Sequence, residues 1–276
     1  MNDATVSAVV EQVLSAYGRG RALAFAYGQG STFCGFETDA DLDIVLIWPG
    51  DIPAGGERPA GELCDPGVTP VQFGDATFGL DNLVVSRRET QVISFSRSTF
   101  ASWCEAVGAG QGWRGPAWPL PLHAVAGFVY GVLLADADGQ AAAVRERISV
   151  PSARLRDNTR ETLAEELPEY RKALGSSACR GEGWLFHELA VKLTKDAYVA
   201  WFAAEGCYLP FPKHLDRWTE RLGLDRDLAH REQLIWRTSE LTERQQAVLE
   251  FAEAVVALSG RQPGGDPDDV AGGPAG

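Results

Sequence analysis

One stretch, Gly28-Gln29-Gly30-Ser31 followed by Asp41-Leu42-Asp43, constrains the fold of this chain more than any other. An apolar run at 22–27 enters a Gly-Ser turn, and ten residues beyond Ser31 a second β-prone run opens at Asp41 and continues to Trp48. Side chains alternate along a strand, so Asp41 and Asp43 project from one face of it. Two neighbouring carboxylates repel each other, and a cation relieves the repulsion; Mg²⁺, with its preference for oxygen, is the expected occupant. Gly30 permits close backbone approach to a phosphate, and Ser31 adds a hydroxyl and main-chain N–H donors at a predicted helix start.

Charge narrows the partners. The 276 residues carry 25 Lys and Arg against 38 Asp and Glu, a formal net charge of −13. A chain that grips a nucleic-acid backbone needs a basic surface, so this balance argues against a polynucleotide substrate. An acidic cleft would instead concentrate a cationic small molecule. The five cysteines are scattered and never form a C-x-x-C pair, which reads as reduced thiols and not as a disulfide framework or a zinc site. No apolar run approaches the roughly 18 residues of a membrane span, and no secretory leader opens the sequence. The expectation is a cytoplasmic protein with no membrane partner.

Periodicity predicts an amphipathic helix over 3–17 and strands at 22–27 and 41–48. A Pro- and Gly-rich surface loop is expected over 49–70, then short strand pieces at 71–73 and 78–80. A hairpin over 82–96 is expected to turn at Arg88-Glu89-Thr90, and Ser98 is expected to cap a helix through Val107. Beyond residue 116 the pattern turns helical: a long charged helix over 152–174, a helix with one apolar face from Phe186 to Trp201, a short one over 213–222, and two more over 231–237 and 242–258. Composition predicts a disordered tail over 261–276. The domain expectation is an α/β region with a small mixed sheet over 1–115, followed by an all-helical region over 116–260.

The Gly-Ser turn, short helix and Asp-x-Asp strand resemble the nucleotidyltransferase superfamily that includes DNA polymerase beta. The resemblance is to the small-molecule and antibiotic nucleotidyltransferases with a helical C-terminal domain. Three later stretches are similar to motifs of such proteins: the hydrophobic run from Tyr130 ending in Asp136-Ala137-Asp138-Gly139, Cys179-Arg180-Gly181-Glu182, and Tyr208-Leu209-Pro210-Phe211-Pro212-Lys213. The resemblance implies Mg²⁺ held by Asp41 and Asp43, ATP or another nucleoside triphosphate held at Gly30, Ser31 and Lys213, and Glu182 as a further catalytic carboxylate. Active members place a third carboxylate on a later central strand. The strand matching it here, Gln91-Val92-Ile93-Ser94-Phe95-Ser96, has none. Glu89, Asp81 or Glu182 would have to substitute, or the site is incomplete.

The implied activity is pyrophosphate-releasing transfer of a nucleoside monophosphate, AMP from ATP in the first place, to a hydroxyl of a small molecule such as an aminoglycoside-like natural product. Two other readings stay open: a toxin-type nucleotidyltransferase that modifies protein or tRNA, and a catalytically silent nucleotide-binding scaffold.

Overall fold

The computed structural model of the chain describes residues 3–37, 40–115 and 120–258. Asp39 in the loop before the Asp-x-Asp, and the tail expected over 261–276, lie outside them. In chain order the first half holds α1 (Asp3–Tyr17), β1 (Phe25–Gln29), α2 (Gly30–Phe33), β2 (Leu42–Trp48), α3 (Ala60–Leu63), β3 (Val71–Gly74), β4 (Phe78–Val85), β5 (Arg88–Ser96), α4 (Arg97–Gly108), α5 (Pro121–Tyr130), β6 (Val132–Ala135) and α6 (Gln140–Arg147). The strands form one mixed sheet in the order β3-β4-β5-β2-β1-β6.

Beyond Asp43, β2 reads as an unbroken apolar run from Ile44 to Trp48 because both its faces are covered there. Leu42, Ile44 and Leu46 pack with Val9, Val13 and Tyr17 of α1 and Ala60 of α3. Val45 and Ile47 face the other way, into a core built from Phe25, Tyr27, Phe95, Phe100 and Phe128. Those rings meet edge-on or tilted, Tyr27 and Phe128 at 5.1 Å between centroids and Phe100 and Phe128 at the same distance. Each fully buried Leu, Ile or Val of β2 contributes about 1.5–3 kcal/mol relative to exposure. β2 pairs antiparallel with β1 and parallel with β5, and together with β5 it forms the middle of the six-stranded sheet.

Several expectations shift against the structure. The hairpin turns at Ser86-Arg87, both with positive φ (53° and 64°), in a two-residue connection between β4 and β5. The carboxylate of Asp65 holds that turn, accepting from the N–H groups of Ser86 at 2.9 Å and Arg87 at 2.6 Å. A distant Asx contact thus supplies what an Asn-Gly pair would have announced locally. Ser96, not Ser98, caps α4, its hydroxyl accepting from Thr99 N–H. The 49–70 segment is not wholly surface: Ile52, Arg58 and Ala60 are buried.

The chain divides into two compact units, Met1–Ser149 and Val150–Gly276, rather than near residue 115. The later division follows from β6, which pairs with β1 at the sheet edge, and from Phe128 and Ala141, which fill the aromatic core. The second unit is helical: α7 (Ala153–Arg180), α8 (Gly183–Ala204), α9 (Leu215–Arg221), α10 (Arg226–Arg237) and α11 (Leu241–Val256). α7, α8 and α11 pack on one another and α10 packs on α11. The protein is therefore mixed α+β, a six-stranded sheet with its helices followed by a helical region, as the sequence predicts. No helix among the described residues is long and apolar enough to cross a membrane. All five cysteines are free thiols.

Candidate functional site

The end of β1 delivers the Gly-Ser turn directly against the start of β2. Gly30 has φ +80°, and a Cβ built on it would lie 2.1 Å from Oδ2 of Asp43. Glycine is thus demanded twice, by the left-handed backbone and by the carboxylate resting on its Cα. Ser31 follows, 7% exposed, its hydroxyl without a hydrogen-bond partner among the described residues. Burial of an unsatisfied hydroxyl is costly, so this group calls for a partner beyond the described residues. The Ser31 carbonyl accepts from Phe36 N–H at 2.8 Å and Glu37 N–H at 3.3 Å, which fixes the loop beyond α2.

Thr32 ties α2 to the strand that carries the acids. Its hydroxyl lies 3.1 Å from the carbonyl oxygen of Asp41 and 3.3 Å from that of Ala40. Arg88, buried at the start of β5, donates from Nη2 to the Thr32 hydroxyl at 3.1 Å and to the Ala40 carbonyl. Neither residue stands out in the sequence as part of a site. An arginine at the head of a predicted turn carries no local sign that it will be buried.

Asp41 and Asp43 are both half-buried. The register sets Asp43 beside Gln29 on β1 and beside Gln91 on β5. Glu89 lies inside β5 and not at a turn; it is exposed and, two residues before Gln91, on the same sheet face as Asp43. Asp81 pairs with Val92, on the opposite face. There it receives Tyr17 Oη–H at 2.6 Å and Gln72 Nε2–H at 3.1 Å, and forms an ion pair with Arg58 at 3.0 Å. Burial pushes the Asp81 carboxyl above the ordinary carboxylate range, although Tyr17, Arg58 and Gln72 pull the other way. Asp81 is committed to this network and turned away from Asp43. Among the described residues no group of three or more Asp, Glu, His or Cys side chains is placed to hold a metal. Asp41 and Asp43 supply two hard oxygen donors of the kind Mg²⁺ takes, and Gly30 and Ser31 supply a close-approach point and an unsatisfied hydroxyl beside them.

Glu182 and Lys213 belong to the second unit, Asp136 to the first. Glu182 is the N-cap residue of α8, directly after Gly181, which ends α7 in the left-handed conformation. Arg180 donates to it twice, from Nε at 2.9 Å and Nη2 at 2.8 Å, and these bonds hold its carboxyl below the usual range. Lys213 is exposed and precedes the helix it was expected to open: α9 begins at Leu215 behind His214. Asp136 of the Asp-x-x-Gly stretch caps α6, accepting from Ala141 N–H at 3.0 Å and Ala142 N–H at 2.9 Å.

No family model matches the chain, and no curated protein does. Among solved structures the chain is similar to a nucleotidyltransferase-like protein from Exiguobacterium sibiricum 255-15, at 11% identity and a TM-score of 0.44, over 91% of this chain and 74% of that one.

Proposed function

We propose that the chain is a Mg²⁺-dependent nucleotidyltransferase that moves a nucleoside monophosphate, AMP from ATP in the first place, onto a hydroxyl of a small molecule. The observation that carries this reading is the meeting of Gly30 and Asp43: a glycine turn and a metal-type carboxylate ten or more residues apart are packed into one point, with a buried unsatisfied hydroxyl next to them. In this reading Ser31 Oγ and the adjoining main-chain N–H groups bind phosphate oxygens, and Gly30 lets the triphosphate lie against the backbone. Asp41 and Asp43 would hold the cation, which when bound offsets charge on the transferring group and the leaving pyrophosphate. Thr32 and Arg88 orient the acids by fixing the carbonyls of Ala40 and Asp41. The acceptor proton passes to a carboxylate, for which Glu89, on the Asp43 face of the sheet, is the candidate within the first unit. The net charge of −13 favours a cationic acceptor of the aminoglycoside kind.

One observation favours a second reading, nucleotide binding without transfer: among the described residues no third acid completes the ligand set. Pyrophosphate release separates the two. Each nucleoside triphosphate is supplied with and without Mg²⁺ across a panel of hydroxylated acceptors. Release that needs Mg²⁺ and an acceptor establishes the transferase. Nucleotide binding with no release under any combination establishes the silent protein.

A further inference from the structure

Four side chains stand side by side in one row across the sheet. Gln29 pairs with Asp43, Asp43 with Gln91, and Gln91 with Asn82, and all four are half-buried. The next row inward is Tyr27, Val45, Ile93 and Leu80, all buried. The polar row therefore marks where this face of the sheet ceases to be core and becomes a surface that a ligand can reach. Residues opposite one another on paired strands stand about 5 Å apart at Cβ, close enough to share a ligand. Both immediate neighbours of Asp43 in that row are neutral carboxamides. On the β1 side Gln29 is fixed against α5, where its Oε1 occupies the space a Cβ on Gly127 would need. On the β5 side stands Gln91.

Charge decides what such a row can hold. Asp41 and Asp43 together carry two negative charges, which one divalent cation balances. A second divalent cation a few ångströms from the first needs a protein carboxylate in addition to the phosphate oxygens of the nucleotide, because the product of the charges makes the repulsion of two dications several times that of a unit pair. The place beside Asp43 where such a ligand would stand is filled by an uncharged side chain. Glu89 is one row further out, exposed, and does not join the two aspartates in a ligand group among the described residues.

We propose that Gln91 makes this a one-metal site: its carboxamide, in register with Asp43, stands where a second cation would require an acid, so a single divalent ion held by Asp41 and Asp43 serves the nucleotide. The inference rests on the nucleotidyltransferase reading of the site and adds to it the stoichiometry and the residue that sets it. The Gln91 carbonyl oxygen remains able to contact the cation as a neutral donor, and its NH₂ group to donate to a phosphate or acceptor oxygen.

The test counts Mn²⁺ by electron paramagnetic resonance, with the full chain and a non-hydrolysable ATP analogue, in the wild type and in Gln91→Glu. One Mn²⁺ per chain is expected in the wild type and two in Gln91→Glu. Without metal the variant should melt at a lower temperature than the wild type, since it sets like charges opposite each other, and Mn²⁺ should restore it. Two Mn²⁺ in the wild type, or still one in a folded Gln91→Glu, overturns the role of Gln91 and leaves the nucleotide site standing. If circular dichroism shows Gln91→Glu unfolded, the wild-type count decides alone. A wild type that binds neither Mn²⁺ nor the analogue rejects the nucleotide-site reading itself, and the one-metal proposal with it.

Discussion

Asp43 rests its carboxylate against the Cα of Gly30, thirteen positions earlier in the chain, so closely that a methyl group placed there would sit 2.1 Å from Oδ2. Gly30→Ala should therefore do two separable things. The left-handed φ of +80° costs an alanine about 1–2 kcal/mol. The new methyl also pushes Asp43 aside, so Mn²⁺ and nucleotide affinity should fall further than that loss of stability explains. Urea denaturation and Mn²⁺ titration on the same variant measure the two effects. A variant that loses stability but binds Mn²⁺ normally would show that the carboxylate position is unimportant.

Asp41→Asn and Asp43→Asn should each abolish Mn²⁺ binding and turnover with the fold intact. The change removes charge and keeps shape, and both residues sit at the solvent-reachable end of an otherwise buried strand. Melting temperature should hold or rise, because one of two adjacent like charges is gone. Near wild-type turnover in either variant would reject the assignment of that residue to the metal.

What the sequence disclosed and what it withheld divide along the range of the interactions involved. The Gly30–Ser31 turn and the Asp41–Asp43 spacing are local, and strand alternation alone set both acids on one face. Nothing local distinguishes Asp81 from Asp43. Only the register with Val92 turns Asp81 to the other side of the sheet, where Arg58, from a segment expected to be surface loop, buries beside it. The Ser86-Arg87 turn was missed for the same reason, since its support comes from Asp65. The run at 132–135 lies in the region expected to be all-helical, and four apolar residues fit either period; pairing with β1 makes it a strand.

The Asp81 network should be among the costlier places to mutate in the first unit. Arg58→Met leaves a buried carboxylate without its cation, a loss of about 3–5 kcal/mol. Tyr17→Phe removes one hydrogen bond to a charged acceptor and should cost about 1.5–3 kcal/mol. Replacing Arg58 and Asp81 together with apolar residues should cost less than Arg58→Met alone, because no orphan charge remains. Denaturant midpoints of the three variants check the order. If the double variant is the least stable, the pair itself is stabilising and not merely expensive to break.

Cys104 gives a pH dependence with a definite sign. Burial pushes its thiol up from 9.0 to about 11. Between those values the folded chain keeps a proton that the unfolded chain has released, so stability is fully present below about pH 9 and falls as pH rises toward 11. Tyr17, Tyr27 and Tyr198 are also raised by burial and add to the alkaline loss, so the comparison must be with Cys104→Ala. The alkaline limb of stability against pH should be flatter in the variant. Identical slopes in the two proteins would mean the thiol is exposed to solvent in the folded state.

The remaining question is which acid, if any, receives the acceptor proton. Glu89 stands on the Asp43 face of β5 and is exposed, whereas Glu182 belongs to the helical unit and is held by Arg180 through two hydrogen bonds. That pairing keeps Glu182 ionised, which suits a base in charge but spends two of its acceptor directions on the arginine. Glu89→Gln and Glu182→Gln should be compared for turnover and for nucleotide affinity separately. Loss of turnover with nucleotide affinity retained in Glu182→Gln identifies it as the group acting on the acceptor, and the same split in Glu89→Gln assigns the role to the sheet. A parallel loss of affinity in either variant would point to the cation or the triphosphate instead of the proton. If both variants turn over like the wild type, neither acid is the base, and a one-metal site that transfers without a dedicated carboxylate becomes the expected mechanism.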